Sequence, residues 1–168
     1  MRQCWSRRTM WVALGTLACA MPAAAVPGSD AKAVEEISSL IVKYAQAVSA
    51  ADTKLASEVW ANSSDVSFIH PLGHEHGWEA VKTNVFEKLM GETFSGRSLK
   101  VKDVHVHASG DAAWAEFYWD FAAKFRKDGT AIETHGRETQ IYRKMGGRWR
   151  LVHVHYSGMP VAPGREGF

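Results

Sequence analysis

The stretch Trp114-Ala115-Glu116-Phe117-Tyr118-Trp119-Asp120-Phe121 holds side chains suited to proton chemistry. Its apolar residues recur with period two, the spacing of a strand. Ala115, Phe117, Trp119, Phe121 and Ala123 share one face, and Trp114, Glu116, Tyr118, Asp120 and Ala122 share the other. Simple alternation would send the first face to a core and the second to water. Yet the second face mixes two carboxylates with Trp and Tyr, as a ligand cavity does. A carboxyl in a partly apolar pocket has its pKa raised and can give or take a proton near neutral pH. Asp120 is therefore the candidate general acid/base. The plainer alternative is a hydrogen-bonded Asp in a binding pocket without turnover.

Histidine is the other chemistry-bearing residue, with eight copies. His70, His74 and His76 fall within seven residues, and imidazole is a good zinc ligand. The segment reads as a strand and turn, and no helical HExxH spacing occurs, so no metal is expected. No cofactor motif is present either. His105 with His107, and His153 with His155, each share a strand face, as hydrogen-bonded interface or core residues. Ser157 lacks the strand–turn–helix elbow of a serine nucleophile.

The elements that must position these groups are legible from their periods. Val34, Ile37, Ile41, Tyr44 and Val48 recur at helical spacing, which predicts an amphipathic helix over about 30–50. Asp52 caps a shorter helix through Leu55, Val59 and Trp60. Val66 to His70 reads as a short strand, and the chain turns at Pro71 and Gly73. Trp78, Val81, Val85, Phe86, Leu89 and Met90 predict a third helix ending before Gly91. From there the period becomes two. Strands are predicted over 98–107, 112–125 and 132–144, with a hairpin turn at Lys127-Asp128-Gly129-Thr130. Gly146-Gly147 then launches a last strand, which Ser157-Gly158-Met159-Pro160 ends. Helices first and an antiparallel meander after them predict an α+β fold.

With 168 residues the chain has room for one domain. Arg2, Arg7 and Arg8, the apolar run from Met10 to Met21 and Ala23-Ala24-Ala25 have the order of a signal peptide. Residues 1–25 are expected to be that signal, and 26–168 the single domain. Ser6-Arg7-Arg8-Thr9-Met10-Trp11 also resembles a twin-arginine export signal. Processing would remove three of 20 basic residues, leaving 17 against 18 acids and a net charge of −1. That balance leaves no nucleic-acid footprint. Cys4 and Cys19 would leave with the signal, and with them any disulfide or thiol chemistry. A periplasmic or secreted protein with no stable membrane span is expected.

His105-Val106-His107 with Gly110-Asp111, Glu138-Thr139, Gly147-Arg148-Trp149 and Val152-His153-Val154-His155-Tyr156-Ser157-Gly158-Met159-Pro160 carry a family likeness. On these residues the chain resembles the nuclear transport factor 2-like superfamily in its SnoaL-like branch. It is most similar there to the association (hub) domains of calcium/calmodulin-dependent kinase II. The resemblance implies a cone: three N-terminal helices on a strongly curved, mainly antiparallel sheet with a central pocket. It implies dimers through the outer sheet face, or larger rings. The hub pocket's one histidine and three arginines are replaced here by Val81, Asp120, Gln140 and Tyr156. Hub-type binding of acidic ligands and kinase activity are therefore not implied.

The resemblance also points Glu116, Tyr118, Asp120, Glu138, Gln140 and Tyr156 into the pocket. Phe117, Trp119, Phe121, Ile141, Leu151, His153 and His155 then face outward, where a second subunit would cover them. The expected protein is an exported, oligomeric small-molecule binder, with Tyr44, Glu116, Glu138, Gln140 and Tyr156 on the ligand. The alternatives are an isomerase-, cyclase- or dehydratase-like enzyme using Asp120, His70 and Tyr118, and an assembly module without turnover.

Overall fold

The computed structural model describes residues 27–159. The expected signal segment, with Cys4 and Cys19, and the closing Pro160 lie outside the described residues. Helix α1 (Pro27–Ala50) turns Ile37, Ile41, Tyr44 and Val48 to one buried side, as their spacing requires. Helix α2 (Thr53–Val59) starts at Asp52, whose carboxylate accepts from Leu55 N at 2.9 Å. Strands β1 (Ser67–His70) and β2 (Gly73–His76) form a small hairpin. Helix α3 (Trp78–Ala80) runs directly into a π-helix, π1 (Val81–Thr93). No helix among the described residues is long and apolar enough to cross a membrane.

The π-helix corrects the expected helix end. The chain continues through Gly91 to Thr93, because wider winding replaces the i→i+4 ladder with i→i+5 bonds. Two arginines cover its last carbonyls. Arg126 donates to Gly91 O at 2.9 Å, Glu92 O at 3.2 Å and Phe94 O at 3.1 Å. Arg97 donates to Met90 O, and also to Ala50 O at the end of α1. Cations belong at such carbonyl-rich termini.

The meander follows as β3 (Phe94–Ser109), β4 (Ala112–Phe125), β5 (Ala131–Met145) and β6 (Arg148–Gly158). The sheet order is β2-β1-β6-β5-β4-β3, antiparallel except where β1 meets β6. The Gly146-Gly147 turn has both residues at positive φ, 57° and 78°, as a tight hairpin requires. The helices lie on one sheet face, and the core fills the space between.

The expected direction of β4 is inverted. Ala115, Phe117 and Trp119 are buried toward the helices, and Phe121 packs beside them. Trp114, Glu116, Tyr118 and Asp120 lie on the outer face. Register explains it: Phe117 stands opposite Glu138, and Asp120 opposite His135. Directly opposed residues share a face, so Asp120 and Glu138 cannot. Leu151 is likewise inside, because β6 carries a bulge. Ile141 pairs with His153 but Tyr142 pairs with Leu151, which leaves Val152 as the extra residue. His153 and His155 do face outward beside Ile141 and Thr139, as expected.

Gly136 is set by close approach. A Cβ there would lie 2.2 Å from Ser157 O and 2.3 Å from Cζ2 of Trp119. The Trp119 indole therefore occupies the space that a side chain at 136 would need. Gly136→Ala is expected to cost roughly 1–3 kcal/mol through this overlap. Chemical denaturation would measure the loss, and a shifted tryptophan emission would report the displaced ring. An unchanged midpoint would remove Gly136 from this role.

Candidate functional site

The space between π1, α1 and the inner sheet face is a cavity of about 340 Å³. Its wall is almost wholly apolar, with Phe68, Val85, Leu89, Met90, Phe94 and Trp119 prominent. Its polar atoms come from Tyr44 on α1, Thr134 and Glu138 on β5, and Tyr156 on β6. Of the five expected ligand-binding residues, Tyr44, Glu138 and Tyr156 line it. Gln140 is wholly buried one step deeper, and Glu116 lies outside on the exposed face.

Glu138 is the carboxyl of this site. It is 5% exposed. Burial pushes its pKa from 4.5 to about 8, although hydrogen bonds from Gln140 and Tyr44 pull the other way. Gln140 Nε2 donates to Glu138 Oε1 at 2.6 Å, and the Tyr142 hydroxyl donates to Gln140 Oε1. Burial first, and then the neighbouring Glu138, hold the Tyr44 and Tyr156 phenols above their usual range. Both stay protonated and remain donors. Near neutral pH the pocket thus carries no fixed charge but holds one transferable proton.

His70 stands just behind the wall. Its ring stacks on Tyr156 with centroids 6.3 Å apart. Nδ1 accepts from Leu72 N at 3.3 Å, and the buried Nε2 lies 3.5 Å from Glu75 Oε1. Asn84 on π1 holds the other oxygen of Glu75 at 2.7 Å. His70 thus braces Tyr156 without lining the cavity. His74 and His76 oppose Ile69 and Ser67 on the outer face, so the three neighbouring histidines do not converge.

Asp120 and Tyr118, expected in the pocket with Glu116, are on the outer surface with it, for the register reason given above. Asp120 lies 2.7 Å from Lys102 Nζ and 2.7 Å from His135 Nδ1. Lys102 first, and then His135, hold its carboxyl below the usual range. A surface carboxylate so held is poorly suited to carry a proton at neutral pH. The outer face also collects histidine. His74, His76, His105, His107, His135, His153 and His155 all lie there by register, leaving only His70 of the eight on the cavity side. His107 stacks on Trp114 at 4.8 Å, and Ser67 Oγ is 2.6 Å from His153 Nδ1.

Known proteins share this architecture. A nuclear transport factor 2 (NTF2-like) superfamily protein from Salmonella enterica serovar Typhimurium LT2 is 40% identical, with a TM-score of 0.80 over 82% of this chain and 99% of that one. An NTF2-like protein of unknown function from Pseudomonas putida KT2440 is 26% identical, with a TM-score of 0.65 over 80% and 91%. A putative dehydratase of the NTF2-like family from Streptomyces avermitilis is 19% identical, with a TM-score of 0.68 over 79% and 99%, and shares the fold. The SnoaL-like domain model matches residues 37–162. A cone of helices on a curved sheet, matched in sequence over most of its length, makes this chain a member of the SnoaL-like domain family within the NTF2-like superfamily.

Proposed function

We propose that this protein binds a neutral, largely apolar small molecule that presents one oxygen to Glu138. The observation that carries this is a fully buried carboxyl, its pKa raised to about 8, in the wall of an almost wholly apolar cavity. A permanently charged ligand would find no counter-ion there and would lose its hydration. A carbonyl or hydroxyl would find a protonated carboxyl and two phenols as donors.

Turnover is the second reading, favoured by a proton held near neutral pH beside an apolar surface. The dehydratase description of one structural relative fits that chemistry by analogy of fold alone. Glu138 then takes the acid/base role that sequence reasoning gave Asp120.

Titration with small cyclic ketones and phenols, followed by quenching of tryptophan fluorescence, tests both readings. Wild type and Asp120→Asn should bind alike, and Glu138→Gln should bind about tenfold more weakly through the lost carboxyl hydrogen bond. Exchange of the ketone α-protons with deuterium oxide, absent in Glu138→Gln alone, would establish turnover. Loss of binding in Asp120→Asn would overturn the assignment.

Export and self-association belong to the same proposal. The arginines, apolar run and alanines of residues 1–25 support a periplasmic or secreted protein whose native N-terminus lies near Val26. Mass spectrometry finding Met1 in the soluble fraction would contradict it. Exposed Trp114, Tyr118 and Ile141 support a homodimer through the outer sheet face.

A further inference from the structure

Glu138, Gln140 and Tyr142 are successive inward positions of β5. Gln140 and Tyr142 are both wholly buried, and neither lines the cavity. A buried amide and a buried phenol are costly unless every strong donor finds an acceptor. The Tyr142 hydroxyl has the Gln140 amide as its hydrogen-bond partner among the described residues. Its O–H is satisfied when the oxygen end of the amide faces it. The nitrogen end must then face Glu138, and Nε2 donates to Oε1 at 2.6 Å. Reversing the amide would leave the phenol proton without an acceptor and turn a carbonyl oxygen toward the carboxyl.

We propose that Tyr142 is a positioning residue for Glu138: its hydroxyl fixes the Gln140 amide with Nε2 on Oε1, which confines the exchangeable carboxyl proton to Oε2. This rests on Glu138 being the proton-carrying group of the cavity. The groups facing Glu138 from the surrounding elements are few. Tyr44 comes from α1 and Tyr156 from β6. Phe117 stands opposite on β4, and π1 adds the apolar Val85, Leu89 and Met90 to the same cavity. Lysine, arginine and a second carboxylate are not among the groups that shift it. The orientation of one amide therefore decides which oxygen gives or takes a proton, and how readily. With Nε2 on Oε1 the carboxylate is stabilised. A reversed amide would accept from the protonated carboxyl and stabilise the acid instead.

The test is a carbon-13 titration of the Glu138 carboxyl in the full chain labelled at glutamate Cδ. Tyr142→Phe releases the amide and should raise the midpoint by about one pH unit, the size of one hydrogen bond to a charged group. Gln140→Leu should raise it at least as far. Adding Tyr142→Phe to Gln140→Leu should raise it no further, because Tyr142 acts through Gln140. An unchanged midpoint in folded Tyr142→Phe overturns the proposal, and so do additive shifts. If Gln140→Leu does not fold, Tyr142→Phe against wild type decides alone. Variants that show these shifts, beside a wild-type chain that binds none of the ketones or phenols, would refute the ligand reading and leave the positioning role intact.

Discussion

Replacing Glu138 by Gln should flatten the dependence of stability on pH between about 4.5 and about 8. The folded chain holds this carboxyl proton up to about pH 8, while the unfolded chain releases it near 4.5. Below the lower value both states are protonated and the group contributes no slope. Through the window the folded state binds more protons than the unfolded one, so stability falls as pH rises. Integrated over the window, the loss is on the order of 4 kcal/mol. That is a large fraction of the 5–15 kcal/mol that holds a typical domain together. Urea unfolding at intervals from pH 4 to pH 9 measures it. Wild type should lose stability steadily across the window, while Glu138→Gln stays level over the same range. Parallel curves would mean that water reaches Glu138 and that its proton affinity is ordinary.

The second large effect separates the two faces of β4. Phe117 is 3% exposed and faces Glu138 across the register. Phe117→Glu would bury a charge with no partner and set it against a second carboxyl. Such a change costs several kcal/mol, and the variant should show no cooperative melt. Trp114, three residues away, is 44% exposed. Trp114→Glu gives up a stack on His107 and little else within the subunit, so its melting should stay near wild type. In the proposed homodimer, its sedimentation should instead change from dimer to monomer. A Phe117→Glu protein that folds while Trp114→Glu does not would reverse the orientation described above.

Much of this fold was legible in sequence. Helical spacing from Val34 to Val48 gave α1, Asp52 marked the start of α2, and the turns at 127–130 and 146–147 separated the strands. The face of β4 was harder to read. Both of its faces carry aromatics, so hydrophobic alternation alone cannot choose between them. A usable signal lay in the hairpin. A loop with an even number of residues pairs even positions with odd ones, which puts Asp120 with His135 and Phe117 with Glu138. The Glu138-x-Gln140-x-Tyr142 column could then have been recognised as an inward polar ladder. The π winding of 81–93 left no such mark, since Val81, Val85 and Phe86 fit an α-helix equally well. Bulges also escape alternation, because they break the period on which it depends.

The bulge at Val152 makes β6 a strand read in two frames. Before it, Trp149 and Leu151 occupy inward positions, and after it Val154 and Tyr156 do. One spare residue keeps both sets inside. Flattening the bulge with Val152 still in the strand would force a choice between them. Either the leucine and tryptophan would turn to solvent, or His153 and His155 would enter the core. Deleting Val152, by contrast, would put Trp149, Leu151, Val154 and Tyr156 in one unbroken period with His153 and His155 still outside. Related sequences are thus expected to carry either the bulge or one residue fewer at this point, with both inward sets kept.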